Sequence, residues 1–477
     1  MAERSRWSVS RYNSNNAWLY NHDNGRLNNN NLYNGLSARA LDYDTNKGDL
    51  SFLSLLGELY DAYMVARRTK RGKNSQMQFE LNLTVNLMNL AVAVWNREYI
   101  QGESICFMLE KPKQREVIAA WFGDRVTQAW YCSHLEPYLE EFYDPNSYAC
   151  RVGKGNLRAA LDLQNLIRRE TCDYVLDDVW IWKEDIRSCF MTVDTKMLEE
   201  KMVDFIWSVV CEDEWLRETL CWLTRIIYQS LPQEHCRIKT NPMAWSSFPK
   251  EKSAFGKTIG IAIGNRANQQ AVLFMTTFLI AIVREYGYDP RLYTDDIAGV
   301  TKDKEQWKRD RPEIAKRIEK ELNWKWHPHK RYLQHWSKGV LYLGYKIRGY
   351  RLLPSNRIAH NFLWKMECYA RKAAGKPKYV HREMEHVMQV VNSYLGMFQW
   401  CNARRLAAKG MKILEESDFS KVFNFNNGEK VSIKPRMTQK AYYKLQNWQR
   451  KSKQRELFTE MFKKIRQNNE KTQRNPA

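Results

Sequence analysis

The stretch Arg291-Leu292-Tyr293-Thr294-Asp295-Asp296-Ile297-Ala298-Gly299-Val300 sets two adjacent carboxylates between two short apolar runs. The pattern predicts two strands joined by a tight turn with the acids at its tip. Neighbouring aspartates repel one another, and neither is stable as an isolated buried charge, so an apolar hairpin carrying them points to a cation site, although Asp-Asp is also a common surface dipeptide. Hard carboxylate oxygens suit Mg²⁺, which binds through one or two carboxylates and keeps several waters. Asp177-Asp178 is a second such pair. It lacks a Tyr two residues earlier and reads as solvated surface.

The 477-residue chain has room for a large core and roughly two to four structural units. Its 44% hydrophobic and 13% aromatic content excludes a largely disordered polypeptide. A formal charge of +22 favours a polyanionic partner, nucleic acid foremost. The longest apolar run, Ala271 to Val283, is too short to span a bilayer, and the first residues carry no apolar signal segment, so no membrane partner and a cytoplasmic location are expected. The ten cysteines form no Cys-x-x-Cys and sit beside no His at zinc-finger spacing, which predicts free buried thiols in a reducing compartment. His327 and His329 flank Pro328 and fit a loop better than a metal site.

Residues 1–48 form an Asn-rich leader, with ten Asn between Arg11 and Asn34, and read as poorly ordered polar chain. A helix is expected from Leu50, with Phe52, Leu55, Leu56, Leu59 and Tyr63 on one face. The basic run that ends it includes Arg67, Arg68, Lys70 and Arg71 and fits either a solvated face or a phosphate-tracking loop. A second helix is expected over 76–100, then paired strands Ser104 to Leu109 and Arg115 to Ala120, then a helix from Asp124 to Glu141. A glycine-bearing basic loop around Arg151 and Lys154 is able to bring backbone N–H groups to phosphate without being a P-loop. Apolar residues from Leu198 to Ile227 recur at helical spacing around an acidic interruption, and residues 351–415 read as helical. The last 48 residues carry fourteen Lys or Arg against three Glu, interleaved with aromatic rings, a composition that fits nucleic acid.

Asp185 supplies a third carboxylate. It follows the apolar run Val179 to Trp182, which places it at a strand end where Asp295 and Asp296 could meet it. Three such carboxylates suit two Mg²⁺ ions roughly 3.5–4 Å apart, one activating a primer 3′-hydroxyl and the other neutralising a triphosphate. Catalysis of that kind is mainly positioning and electrostatics.

At this point the chain resembles a reverse transcriptase, and specifically those of diversity-generating retroelements. The segments that carry the resemblance run in order from about residue 50 to 405: Lys113 to Val117 with Asp124-Arg125-Val126, Ser147 to Arg151 with Gly153-Lys154-Gly155, Asp185 to Phe190, Ile263-Gly264-Asn265, Tyr293 to Asp296, Gly339 to Tyr345, and Asn392 to Gly396. The resemblance implies an α+β right-hand polymerase whose antiparallel palm sheet packs on helices. It implies fingers over 49–178, a palm over 179–350 that includes a fingers segment near 253–275, a helical thumb over 351–415 and a basic tail over 416–477. It also implies metal ligation by Asp185, Asp295, Asp296 and the Ile186 carbonyl. Nucleotide binding falls to Lys113, Arg115, Phe190, Ile263, Gly264 and Gln269, with Phe190 as the bulky gate that rejects a 2′-hydroxyl. Primer and template contacts fall to Tyr293, Gly344, Arg67, Arg68, Lys70, Arg71, Arg151 and Lys154.

Ile263-Gly264 with Gln269 is the segment most specific to the retroelement group, although Ala262 and Asn268 replace the Pro and Ser usual there. Ile263 stands where most reverse transcriptases have Gln and is unable to hydrogen-bond the nascent pair, which implies low fidelity, particularly opposite template adenine. The expected activity is RNA-directed DNA synthesis into adenine-mutagenised cDNA. The expected partners are template RNA, the primer or cDNA strand, deoxynucleoside triphosphates and a small basic oligomeric accessory protein, in a bacterial or phage-encoded setting. The alternative is a phage-defence or retron-type reverse transcriptase. The leader resembles a translated template repeat, since Asn codons begin with two adenines.

Overall fold

The structure, a computed structural model, describes residues 50–68, 70–110, 114–230, 232–239, 248–249, 253–255, 257–426, 430–434 and 460. Helices and small, mainly antiparallel sheets share the chain. The strands are β1 (Ser104–Leu109), β2 (Arg115–Ala119), β3 (Trp180–Asp185), β4 (Cys236–Ile238), β5 (Arg291–Tyr293), β6 (Asp296–Thr301), β7 (Tyr332–His335), β8 (Val340–Tyr342), β9 (Tyr345–Arg348), β10 (Arg351–Pro354), β11 (Phe423–Asn426) and β12 (Lys430–Ile433). Among the described residues two compact units form, each from several chain segments: those up to Pro145 with Ile186–Ile282 and Ile314–Trp326, and Asn146–Asp185 with Val283–Glu313 and those from His327 onward. The Asn-rich leader, Lys113 and most of the basic tail lie outside the described residues.

In the first unit, helix Leu50–Arg67 buries Phe52, Leu55, Leu59 and Tyr63. The helix expected over 76–100 is two helices, Asn74–Leu81 and Leu83–Trp95, because Asn82 leaves helical geometry at φ −125° and ψ 49°. β1 pairs antiparallel with β2, Leu109 opposite Arg115, and parallel with β4 on its other edge. Asp194 and Asp213 cap the helices Thr195–Val209 and Glu214–Gln229 by accepting backbone N–H groups, so the acidic interruption is a helix start.

In the second unit, a four-stranded sheet has the order β5-β6-β3-β7. Alternation along β3 sorts its side chains between the two faces. Trp182 stacks on Trp307 at 4.1 Å, and Glu184 accepts both guanidinium bonds of Arg311, so these residues face helix Lys304–Leu322. Ile181 joins the opposite core with Ala159, Leu163, Ile167, Tyr342 and Tyr345. The segment 351–354, expected as helix, is strand β10 paired with β9. Ser355 then caps helix Asn356–Ala373, its hydroxyl accepting from Ile358 N–H at 3.3 Å. That helix packs with Pro377–Phe398 and Arg404–Glu415 around Phe362, Val387, Val391 and Leu414.

All ten cysteines are free, as expected, but Cys150, Cys172 and Cys211 are exposed. The run Ala271 to Val283 lies in the helix Arg266–Glu285. Among the described residues no helix is long and apolar enough to cross a membrane.

Candidate active site

In the second unit the β3–β6 register sets Asp185 directly opposite Asp296. Tyr293 pairs with Asp296 across β5–β6, which leaves Thr294 and Asp295 as a two-residue turn. Thr294 sits at φ +56°, a conformation that a β-branched residue adopts only under strain. Asp295 is therefore the acid at the turn, and Asp296 opens the strand. The Asp185 carbonyl accepts from His327 N–H at 2.7 Å, fixing the end of β3. Ile186, the next residue, is buried and forms an isolated bridge with Trp326 in the first unit.

Two lysines answer this charge. Lys330 donates to both oxygens of Asp185 at 2.8 Å, and Lys183 pairs with Asp296 at 2.9 Å. Lys183 also lies over the Tyr342 ring, whose hydroxyl donates to the Arg291 carbonyl at 3.0 Å. Among the described residues no lysine makes an equivalent bond to Asp295. Burial, then the negative charges of Asp296 and Asp185, push its carboxyl up to about 6, against the pull of Lys330. Three hard-oxygen donors are the right chemistry for a divalent cation. Among the described residues, however, no group of three or more His, Cys, Asp or Glu is gathered so as to hold a metal ion. The Lys330 and Lys183 ammoniums supply positive charge beside Asp185 and Asp296.

The other expected residues of this unit are held by local contacts. Gly344 occupies the β8–β9 hairpin turn at φ +88°, beside Leu343 at φ +49°, so the turn itself demands glycine there. Arg151 donates to the Ser147 carbonyl at 3.2 Å, and the Lys154 ammonium lies 5.1 Å from the Tyr148 ring centroid. Asp177 is an exposed carboxylate that pairs with His335 at 3.2 Å.

In the first unit, residues 260–265 form a strap stitched to two neighbours. Gly260 N–H donates to the Val193 carbonyl at 2.8 Å and Ile261 N–H to the Phe190 carbonyl at 2.9 Å, while the Ile263 carbonyl accepts from Ile118 N–H of β2 at 3.3 Å. The buried Asn268 amide donates to the Ala262 carbonyl at 2.7 Å. Phe190 and Ile263 pack against one cluster built from Cys106, Ile118, Met191, Ala254 and Ala262. Arg115 is exposed at the start of β2, and Gln269 is exposed near the start of helix Arg266–Glu285.

Beside the strap is a cleft of about 670 Å³ whose lining includes Lys70, Lys73, Arg125, Arg237, Lys239 and Gly264. Burial lowers the Lys70 ammonium below its ordinary range, reinforced by the charges of Arg125 and Lys73. Burial likewise lowers Arg125, against the attraction of Asp124. Such mutual repulsion is relieved by an anion. Arg67 points to a different partner, pairing with Glu80, which also accepts from Tyr63 at 2.6 Å. Arg68 and Arg71 are exposed.

Sequence reasoning missed Lys183, Lys330, Arg237 and Lys239, whereas Lys73 ends the basic run and Arg125 lies in a segment of the resemblance. Lys183 was detectable as the residue two before Asp185 on one face of a strand. Arg237 and Lys239 alternate around Ile238 in the same way. Lys330 gave no local signal, since it meets Asp185 from 145 positions away.

No family model matches the chain, and no curated protein does. Solved structures similar to it include apo telomerase from Candida tropicalis, at TM-score 0.40 and 11% identity over 66% of this chain and 57% of that one. A form of that telomerase truncated from its C-terminal domain gives 0.39 and 10% over 53% and 55%. Telomerase from Candida albicans, in complex with a TWJ fragment of telomeric RNA, gives 0.35 and 10% over 67% and 56%. The chain thus spans just over half the length of these telomerase chains. At TM-scores below 0.5 the likenesses carry no weight for its activity.

Proposed function

We propose that this protein is an RNA-directed DNA polymerase of right-hand type, acting for a diversity-generating retroelement by copying its template RNA into error-prone cDNA. The observation that carries the reading is the β3–β6 register, which opposes Asp185 to Asp296 and puts Asp295 in the adjoining turn. Asp185, Asp295 and Asp296, with the Ile186 carbonyl, are the groups that would hold two Mg²⁺ ions. When bound, these ions supply charge neutralisation for the triphosphate and a more acidic primer hydroxyl.

The chain's own residues account for the rest of the reading. Lys330 and Lys183 offset the charges of Asp185 and Asp296, the places a cation would take, and Tyr293 supports the primer end. Lys70, Lys73, Arg125, Arg237 and Lys239 hold phosphates of the nucleic acid or nucleotide. Arg115 binds the triphosphate, and the Phe190 ring excludes a 2′-hydroxyl. Ile263 offers no polar atom to the nascent pair, which supports the retroelement reading over a faithful polymerase. The template RNA and a small basic accessory protein are the partners this reading entails.

The test is primer extension on an RNA template with Mg²⁺, followed by sequencing of the product. Extension is expected in the parent and is abolished in Asp295→Asn/Asp296→Asn while RNA binding persists. Errors are expected to concentrate opposite adenine and to fall in Ile263→Gln. Absence of extension by the parent overturns the polymerase reading, and an unchanged error spectrum in Ile263→Gln overturns the fidelity mechanism.

A further inference from the structure

We infer that Gly260 is a positioning residue for sugar selection, setting the place of Phe190 through the backbone. The inference rests on the polymerase reading above. Phe190 belongs to a four-residue 3₁₀ turn, Cys189–Thr192, entered through Ser188 at φ +52°. A turn that short has little stability of its own. Its placement comes from the strap alongside, through the bonds Gly260 N–H to Val193 and Ile261 N–H to Phe190.

Gly260 is what allows the two segments to lie so close. Its φ is +96°, and a Cβ built there would fall 2.8 Å from the Met191 carbonyl oxygen and 2.9 Å from the Met191 carbonyl carbon and Cα. Those are backbone atoms, with no flexible side chain to swing away. A methyl group at 260 therefore has to displace either the strap or the backbone of Met191, the residue next to Phe190. Phe190 packs against the cluster that contains Met191 and Ala262, and that packing carries such a displacement into the ring. Steric rejection of a hydroxyl is steep in distance, so a shift of a few tenths of an ångström is felt in selectivity before it is felt in folding. Gly260 never has to touch the nucleotide for this to hold.

The experiment compares incorporation of deoxyribonucleotides and ribonucleotides by the parent, Phe190→Ala, Gly260→Ala and Gly287→Ala. Gly287 has φ +84° with open space around its Cβ position, so it reproduces the backbone strain without the contact. The expected result is that Phe190→Ala and Gly260→Ala each lower the deoxy preference by about tenfold, the range set by small steric differences in a pocket. Gly287→Ala keeps the parental preference. Should Gly260→Ala fold poorly, an ester in place of the Ile261 amide removes only the donor to the Phe190 carbonyl and is expected to lower the preference likewise. If Phe190→Ala relaxes selection while Gly260→Ala, or the ester, retains it, the positioning role is overturned and the polymerase reading stands. If the parent extends no primer, both are overturned.

Discussion

Asp185 and Asp296 face one another across the antiparallel β3–β6 pair, and each is held by a lysine, Lys330 on the first and Lys183 on the second. Like charges directly opposite one another on a sheet are destabilising. The two ammoniums offset that repulsion, and any cation entering the site has to displace them.

Lys330→Gln is therefore expected to lower stability in the absence of divalent ions by about 1 kcal/mol, a modest loss because the lysine is nearly half exposed. Added Mg²⁺ should raise the stability of the variant more than that of the parent, since it no longer competes with the ammonium. Urea midpoints measured with and without Mg²⁺ check this. Equal Mg²⁺ effects on both proteins would count against cation binding at Asp185.

Asp295 is expected to make stability depend on pH. Its carboxyl is raised to about 6 in the fold, whereas an unfolded aspartate titrates near 3.9, so the folded state binds the proton more tightly. Its contribution to stability is fully present below about pH 4 and is lost as pH rises through about 6, a cost on the order of 2–3 kcal/mol at most. Asp295→Asn should flatten the stability profile between pH 4 and 6.5 and stabilise the protein at pH 7 when no divalent ion is added. A parental profile with no fall over that interval would contradict the assignment.

Gly299 lies on β6 where a Cβ would fall 2.4 Å from the Trp182 ring. Gly299→Ala should push Trp182 off its stack on Trp307 and destabilise the protein by about 1–3 kcal/mol, the usual cost of overpacking. Thermal denaturation and tryptophan fluorescence report the two effects together. Unchanged emission with unchanged stability would mean that the stack tolerates the methyl group.

The basic cleft predicts a salt-dependent loss of binding. Arg237→Ala and Lys239→Ala should each weaken RNA binding regardless of sequence, and each should reduce the slope of log affinity against log salt by about one. Titrations of a labelled single-stranded RNA over a range of salt provide the measurement. Loss of affinity without a change in slope would assign these residues a structural role.

Local sequence held much of this in plain view. The apolar alternation around Asp295 and Asp296 specifies two strands and a short turn, because strand period and turn length are local properties. The paired strands from Ser104 to Ala119 and most helical stretches were legible for the same reason. Asn82 hid a helix break inside a helical pattern. The pattern over 351–354 runs on into that of the following helix, although Pro354 and the capping Ser355 mark the boundary where strand β10 ends.

The sequence alone determined that three carboxylates would end up at strand termini and turns, that positive charge would dominate, and that Phe190 and Ile263 would be apolar where polar groups were possible. Only the tertiary structure decided which groups meet. Strand register placed Asp185 opposite Asp296, a loop far along the chain delivered Lys330, and three separate segments put Lys70, Arg125 and Lys239 around one cleft. The physical reason is that strand and turn signals act over a few residues, whereas ion pairs and clefts depend on how distant elements bury their apolar faces against each other.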